Sequence, residues 1–306
     1  MILIIGVTAS GKGRLAFELA EICDAEIISI DSMKVYRRMD IGTAKPPRQA
    51  RQRIRYHMID VAEPSDSFSV AAFLDGARHA MDQIRTRKKR TVAVGGTALY
   101  IKSLLYGLFE GPGTDEQVRA DLEARAQTEG LEQLHRELQQ VDPRAAERIS
   151  PNDARRIVRA LEVHRIAGKP ISSLQEQWAA ADTMNDWTMI GLRRERPEEN
   201  KRINARVKKM IEAGLVDEVK SLLAEERPLS KQARCAIGYA EIIEHLAGRT
   251  TLQEAVELIK KNTRRLAKNQ RTWFKTFKNV HWLDITTGEP ANEILDRALK
   301  LTTSRR

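Results

Sequence analysis

Hydrophobic positions along the first hundred residues alternate between short solid runs and helical stripes. Ile2 to Ile5 is an unbroken apolar run that stops at Gly6, and after Lys12 the residues Leu15, Leu19 and Ile22 recur at helical spacing. That order predicts strand, glycine loop, helix. A second strand is predicted from Glu26 to Ile30, ending on Asp31, and a third from Thr91 to Val94, ending on Gly95-Gly96-Thr97. Between them Phe73, Leu74, Ala77, Met81 and Ile84 line one face of a predicted helix. Strands alternating with helices predict a parallel sheet covered on both faces, with ligands at the carboxyl ends of its strands.

From about Thr114 to Gln177 the pattern changes to charged helices with no strand-like run. Thr114 is the predicted cap ahead of Glu116-Gln117, and Ser150-x-x-Asp153 has the form of a capping box. The turn-like Glu110-Gly111-Pro112-Gly113 and the polar stretch from Ala180 to Asp186 flank this region. Strand patterns resume at Thr188 to Leu192 and Val280 to Leu283, separated by long amphipathic helices from Glu195 to about Lys278. The expected architecture is α/β: a P-loop-type parallel sheet core flanked by helices, residues 1–113 and 186–306, with an all-helical insertion domain at residues 114–185.

Composition adjusts this picture in two ways. The 306 residues, 42% hydrophobic and 31% charged, suit roughly two folded domains and exclude a disordered chain. No apolar run is long enough to span a bilayer and no signal peptide precedes the first strand, so a cytoplasmic protein without a membrane partner is expected. Cys23 and Cys235 lie too far apart in sequence for a zinc or redox motif. The 52 Lys and Arg against 42 Asp and Glu leave a net charge of +10, which suits a polyanionic partner. Arg155, Arg156 and Arg159 share one predicted helical face. A second predicted helix, Thr251 to Lys278, carries Lys260, Lys261, Arg264, Arg265, Lys268, Arg271 and Lys275, with Leu258, Leu266, Trp273 and Phe277 turned inward. Two such helices suit an RNA groove, or a solvated face.

The candidate chemistry begins at Gly6-Val7-Thr8-Ala9-Ser10-Gly11-Lys12, which has P-loop spacing: backbone N–H groups converge on phosphate oxygens at a helix N-terminus, and Lys12 adds a point charge. The Ser or Thr that usually follows the lysine and reaches magnesium is Gly13 here. The strand Thr91 to Val94 ends on glycines rather than on the acidic residue a kinase wants, and Thr97 offers a hydroxyl for positioning substrate or for capping its helix. Asp31, at a strand end beside the loop, is placed to act as general base, metal ligand or helix cap, with Asp60 a weaker competitor.

Together, Gly6 to Lys12, Ile30-Asp31-Ser32-Met33, Met39 to Pro46, Gly95-Gly96-Thr97-x-Leu99-Tyr100, Ser150 to Asp153 with Arg159 to Val163, Gly238-Tyr239 and Arg265 to Phe274 resemble the tRNA dimethylallyltransferases along nearly the whole chain. The resemblance implies transfer of a dimethylallyl group from dimethylallyl diphosphate to N6 of adenine 37 in tRNAs reading codons that begin with U, assisted by Mg2+, by a monomer. It implies that Gly6 to Gly13, with Arg202 and Arg206, hold the diphosphate. Asp31 is then the base, Thr97 a positioning group and Lys12 the stabiliser of the leaving pyrophosphate. It further implies that Asp31, Ser32, Met33, Lys34, Thr97, Arg119, Arg155, Arg156, Ile157, Val158, Arg159 and Arg234 touch the anticodon stem-loop of tRNA. Lys34 stands where glutamine is usual, Ala240 where lysine is usual, and Gly13 where Ser or Thr is usual. A P-loop small-molecule kinase, or a tRNA-binding homologue impaired through Gly13, are the alternatives.

Overall fold

A computed structural model describes residues 1–107, 111–175 and 187–303. Glu110 and the stretch from Ala180 to Asp186, expected to flank the insertion, lie outside these residues. The chain divides into two compact units, Met1–Leu105 with Met184–Arg306, and Tyr106–Thr183.

The first unit is built on a six-stranded, wholly parallel sheet: β1 (Ile2–Gly6), β2 (Ala25–Ile30), β3 (Tyr56–His57), β4 (Arg90–Gly95), β5 (Thr188–Arg193) and β6 (Val280–Asp284), in the order β3-β2-β4-β1-β5-β6. Every residue of β1 and β2 is buried, as befits strands covered on both faces. Ile2, Ile4, Leu19, Ile27, Val92 and Ile190 share one core cluster. The five expected strands are present. The sixth, β3, has only two residues and no alternation to reveal it; a buried carboxylate clips this edge instead. Glu26 accepts from Arg87 at 2.7 Å and 2.8 Å and lies 2.7 Å from His57 Nε2. Desolvation alone would raise the Glu26 pKa, but the hydrogen bonds from Arg87 and His57 overcome it and bring it to about 2.

In the helix Val70–Thr86, Phe73, Leu74, Ala77, Ala80 and Ile84 are buried. The segment expected as long helices from Glu195 is broken into Arg196–Glu212, Leu215–Leu223, Lys231–Arg234, Tyr239–Leu246 and Leu252–Phe274. The last begins with a capping box between Thr251 and Glu254. Its inward stripe differs from the expected one: Ala255, Ile259, Ala267, Gln270 and Phe274 are buried, whereas Leu258 and Leu266 are exposed. The largest apolar side chains are a misleading guide here, because the buried face includes two alanines and an amide.

The second unit is all-helical, Glu116–Thr128, Leu131–Val141, Pro143–Arg148, Ala154–Ala167 and Ile171–Gln175. Leu122, Leu134, Leu138, Ile157, Val158 and Leu161 belong to its own core. Asp115, not Thr114, caps the first helix, accepting from Gln117 N and Val118 N. Asp153 caps the fourth by accepting from Arg156 N, while the Ser150 hydroxyl accepts from Asn152 N outside the helix. Asp is the better cap at both places because its carboxylate also meets the positive end of the helix dipole.

Candidate active site

The glycine loop leaves β1 at Gly6 and enters the helix Lys12–Ile22. Gly11 sits at φ 102° as the helix N-cap, a conformation that favours glycine. Lys12 Nζ turns back to donate to Val7 O at 3.1 Å. Two loops at the carboxyl ends of β2 and β4 close the site's other side. Gly95 is dictated there, since a Cβ would lie 2.0 Å from Ile30 O. Thr97 does not use its hydroxyl to cap its own helix; Oγ1 accepts from Ser32 N at 3.1 Å and ties the two loops together. Asp31 Oδ1 accepts from Met33 N at 2.9 Å and Lys34 N at 3.3 Å, so the half-buried carboxylate is held as a turn acceptor rather than as a helix cap. Asp60 is no competitor for its chemistry, being paired with Lys45 and Arg51 at 2.6 Å each.

Arginines from the chain after β5 surround the loop. Arg194 Nε donates to Ser10 O at 3.0 Å, Arg202 Nε to Ala9 O at 2.8 Å, and Arg206 Nη1 to Thr8 Oγ1 at 3.2 Å. Among these contacts no carboxylate neutralises the three guanidiniums. Arg202 and Arg206 are the expected diphosphate ligands; Arg194 was not singled out, although its place at the carboxyl end of β5 is a usable signal. Gln270 is the other residue missed. Its Oε1 accepts from Thr8 N at 2.8 Å and its Nε2 donates to Gly96 O at 2.9 Å, so one amide bridges the loop after β1 to the loop after β4. The signal was a polar residue on the apolar side of a helix.

Charge crowding is the electrostatic signature of the site. Burial, then the neighbouring Lys34 and Arg206, bring the Lys12 pKa down to about 7 against the opposing attraction of Asp31. Lys34 is likewise lowered, by burial first, with Asp31 opposing and Arg206 and Lys45 adding. Arg206 is lowered by burial, opposed by Asp31. Several cations therefore sit around one carboxylate, which is the arrangement expected where a polyanion binds.

Magnesium meets a sparse donor set here. The described residues contain no group of three or more His, Cys, Asp or Glu able to hold a metal, and Gly13 has no hydroxyl. Ser10 Oγ is buried in the loop without a hydrogen-bond partner. That neutral hydroxyl is compatible with a magnesium ion whose other ligands would be water and the oxygens of a diphosphate, rather than with a protein-only cage. A Cβ at Gly13 meets nothing within 4 Å, so the missing side chain takes no contact from the loop.

The expected RNA contacts divide. Ser32, Met33 and Lys34 lie with Asp31 on the loop after β2, and Arg234 is exposed in the first unit. In the helical unit Arg155 and Arg156 are exposed. Ile157 and Val158 are buried in that unit's core, so their side chains face its interior. Arg119 and Arg159 are committed internally, each reaching Glu162 Oε2 at 2.8 Å, and Arg159 also donates to Pro112 O and Gly113 O. Desolvation raises the pKa of the fully buried Glu162, but hydrogen bonds from Arg159 and Arg119 outweigh it and hold the carboxylate below its ordinary range.

A parallel sheet whose glycine loop opens at its carboxyl edge, ringed by arginines, defines a P-loop-type α/β protein. The chain belongs to the IPP transferase family, whose model matches residues 34–277. It is 49% identical over 284 residues to tRNA dimethylallyltransferase 2 of Geotalea uraniireducens, covering 93% of this chain and 92% of that protein. It is 47% identical to the tRNA dimethylallyltransferase of Geobacter metallireducens, covering 93% and 92%. Among solved structures, the tRNA isopentenylpyrophosphate transferase of Bacillus halodurans matches with TM-score 0.70 and 40% identity over 98% of this chain and 96% of that one. A eukaryotic dimethylallyltransferase acting on tRNA matches with TM-score 0.83 and 25% identity, over 100% and 80%.

Proposed function

We propose that this chain transfers a dimethylallyl group from dimethylallyl diphosphate to the exocyclic N6 of adenine 37 in tRNAs reading codons that begin with U, giving N6-(dimethylallyl)adenosine. Family membership supports the reaction class. The observation that carries it to these residues is the glycine loop held by Arg194, Arg202 and Arg206, with the Asp31 carboxylate in the turn after β2 attracting Lys12, Lys34 and Arg206. A kinase reading finds no acidic end on β4, which closes on Gly95-Gly96.

In this reading the loop amides, Lys12 and Arg194, Arg202 and Arg206 hold the diphosphate. The N6 lone pair attacks the allylic carbon, the carbon–oxygen bond breaks, and its electrons pass to the departing pyrophosphate, whose growing charge the cations stabilise. The N6 proton goes to the Asp31 carboxylate, which is needed because the amino lone pair is delocalised into the purine ring. Thr97 holds the Asp31 loop in place through Ser32 N. Magnesium, when bound with the diphosphate beside the Ser10 hydroxyl, would add positive charge to the leaving group. A stacked adenine has to leave its stack to reach Asp31. The exposed Arg155, Arg156 and Arg234 support a tRNA-facing role for their surfaces. We take the enzyme to act as a monomer and place it in the cytoplasm, where tRNA is modified.

The test is incubation with dimethylallyl diphosphate and unmodified tRNA, followed by nucleoside mass spectrometry. Prenylated adenosine at position 37 is expected, and its absence overturns the proposal. Asp31→Ala is expected to bind tRNA yet lose roughly 10²- to 10⁴-fold in turnover. A retained rate removes Asp31 as the base.

A further inference from the structure

Outside the active site, a surface cavity of about 310 Å³ is lined by Arg51, Gln52, Arg55, Tyr56, Ile59 and Asp60. Its walls are mostly polar, unlike the apolar lining that retains a small metabolite. Arg51 donates Nη1 to Asp60 Oδ2 at 2.6 Å, but its Nε is buried without a partner. A buried donor left unpaired is unfavourable, and an oxygen acceptor that a small shift of the side chain brings against it removes that cost. Arg55 is exposed and its guanidinium makes no ion pair among the described residues. Asp60 is already paired with Arg51 and with Lys45, which also holds Asp40, at 2.6 Å each, so it leaves the Arg55 charge uncancelled. The nearby Glu21 is paired with Arg53. The lining is therefore net positive and specific for an oxyanion.

Its position says which oxyanion. Asp60 N donates to Lys34 O at 3.2 Å and Val61 N to Val35 O at 2.8 Å, so the cavity wall is stitched to the segment that begins at Asp31. Lys34 follows Asp31 by three positions, a span of at most about 11 Å. We propose that this cavity is a phosphodiester subsite, in which Arg51 and Arg55 grip a backbone phosphate of the RNA strand that carries the target base. The assignment rests on the tRNA reading of the active site. A phosphate contact of this kind positions the strand without reading its sequence.

The variant Arg55→Gln is chosen because that side chain has no structural partner to lose; Arg55→Lys keeps the charge without the fork. Binding of a labelled anticodon stem-loop is measured at several salt concentrations, alongside steady-state kinetics. Arg55→Gln is expected to weaken RNA binding about fivefold and to flatten the log K against log salt slope by about 0.7, with partial recovery in Arg55→Lys. The KM for dimethylallyl diphosphate is expected to stay at the wild-type value. Unchanged RNA affinity and slope in Arg55→Gln, with wild-type protein binding normally, overturns the subsite alone. A raised KM for dimethylallyl diphosphate overturns it in favour of a free-phosphate site. Wild-type protein that fails to bind the stem-loop overturns both the subsite and the tRNA reading beneath it.

Discussion

Lys12 carries the sharpest consequence of a single side chain's surroundings. Burial, with Lys34 and Arg206 nearby, brings its pKa to about 7, so near neutrality a sizeable share of the free protein holds a neutral amine at the phosphate loop. A bound diphosphate restores the charge, which means that binding takes up a proton. Affinity for dimethylallyl diphosphate is then full below about pH 6 and declines up to tenfold per unit above pH 7. Calorimetry in two buffers of different ionisation enthalpy measures the uptake; heats that do not depend on the buffer would sink the idea. In the ligand-free protein the folded pKa lies below the unfolded value of 10.5, so the native state binds fewer protons between about pH 7 and 10.5, and stability rises with pH across that window. The loop lysine itself was plain from glycine spacing. That its charge is contested was not, because Lys34 and Arg206 reach it from distant parts of the chain.

At the scale of elements, the long helix Leu252–Phe274 does more than cover the sheet. Gln270 takes the Thr8 amide and the Gly96 carbonyl at once, so the helix fixes the spacing of the two loops that frame the proposed site. Gln270→Leu keeps the volume and leaves both backbone groups unpaired, a loss of roughly 2 kcal/mol in stability. Because one freed group belongs to the phosphate loop, the KM for dimethylallyl diphosphate is expected to rise while the KM for tRNA holds. Steady-state kinetics with each substrate varied in turn checks this, and an equal rise in both would reduce Gln270 to a packing role. Helical periodicity puts Gln270 on the predicted inward stripe, one turn from Leu266, but gives it no role there, and the same pattern places Leu258 and Leu266 inward where the fold turns them out. Periodicity assigns a stripe from residue size, whereas the observed stripe is chosen by a close approach to the sheet that alanine and one hydrogen-bonding amide satisfy. The same limit hid β3, a two-residue edge that exists because Glu26 pairs with Arg87 and His57 across it.

The whole molecule consists of two units with separate cores; Glu26, held by Arg87 and His57, is a buried carboxylate of the first, and Glu162, held by two arginines, of the second. In the helical unit Glu162 gathers Arg119, Arg159 and the Asp115 amide. Its folded pKa is depressed, so this stabilisation is present above the ordinary carboxylate value of 4.5 and is lost as pH falls through the folded pKa. Glu162→Gln is expected to cost the helical unit roughly 3 kcal/mol by leaving two arginines short of a counter-charge. Hydrogen exchange should lose protection within Tyr106–Thr183 while the sheet keeps its protection and diphosphate affinity is unchanged. Equal loss in both units would show that they fold as one. The sequence alone determined five of the six strands, the glycine loop after the first, the place of Asp31 at a strand end and the switch to a helical segment, because strand runs, glycine spacing and helical stripes are local and survive without a partner in view. Tertiary structure decided which basic residues are spoken for. It committed Arg119 and Arg159 to Glu162, sank Ile157 and Val158 into a core, and brought Arg194 and Gln270 to a loop nearly two hundred residues or more away in the chain. Charge and polarity are written in the sequence, but whether a guanidinium or an amide is free for a ligand depends on partners that only folding brings within hydrogen-bonding distance.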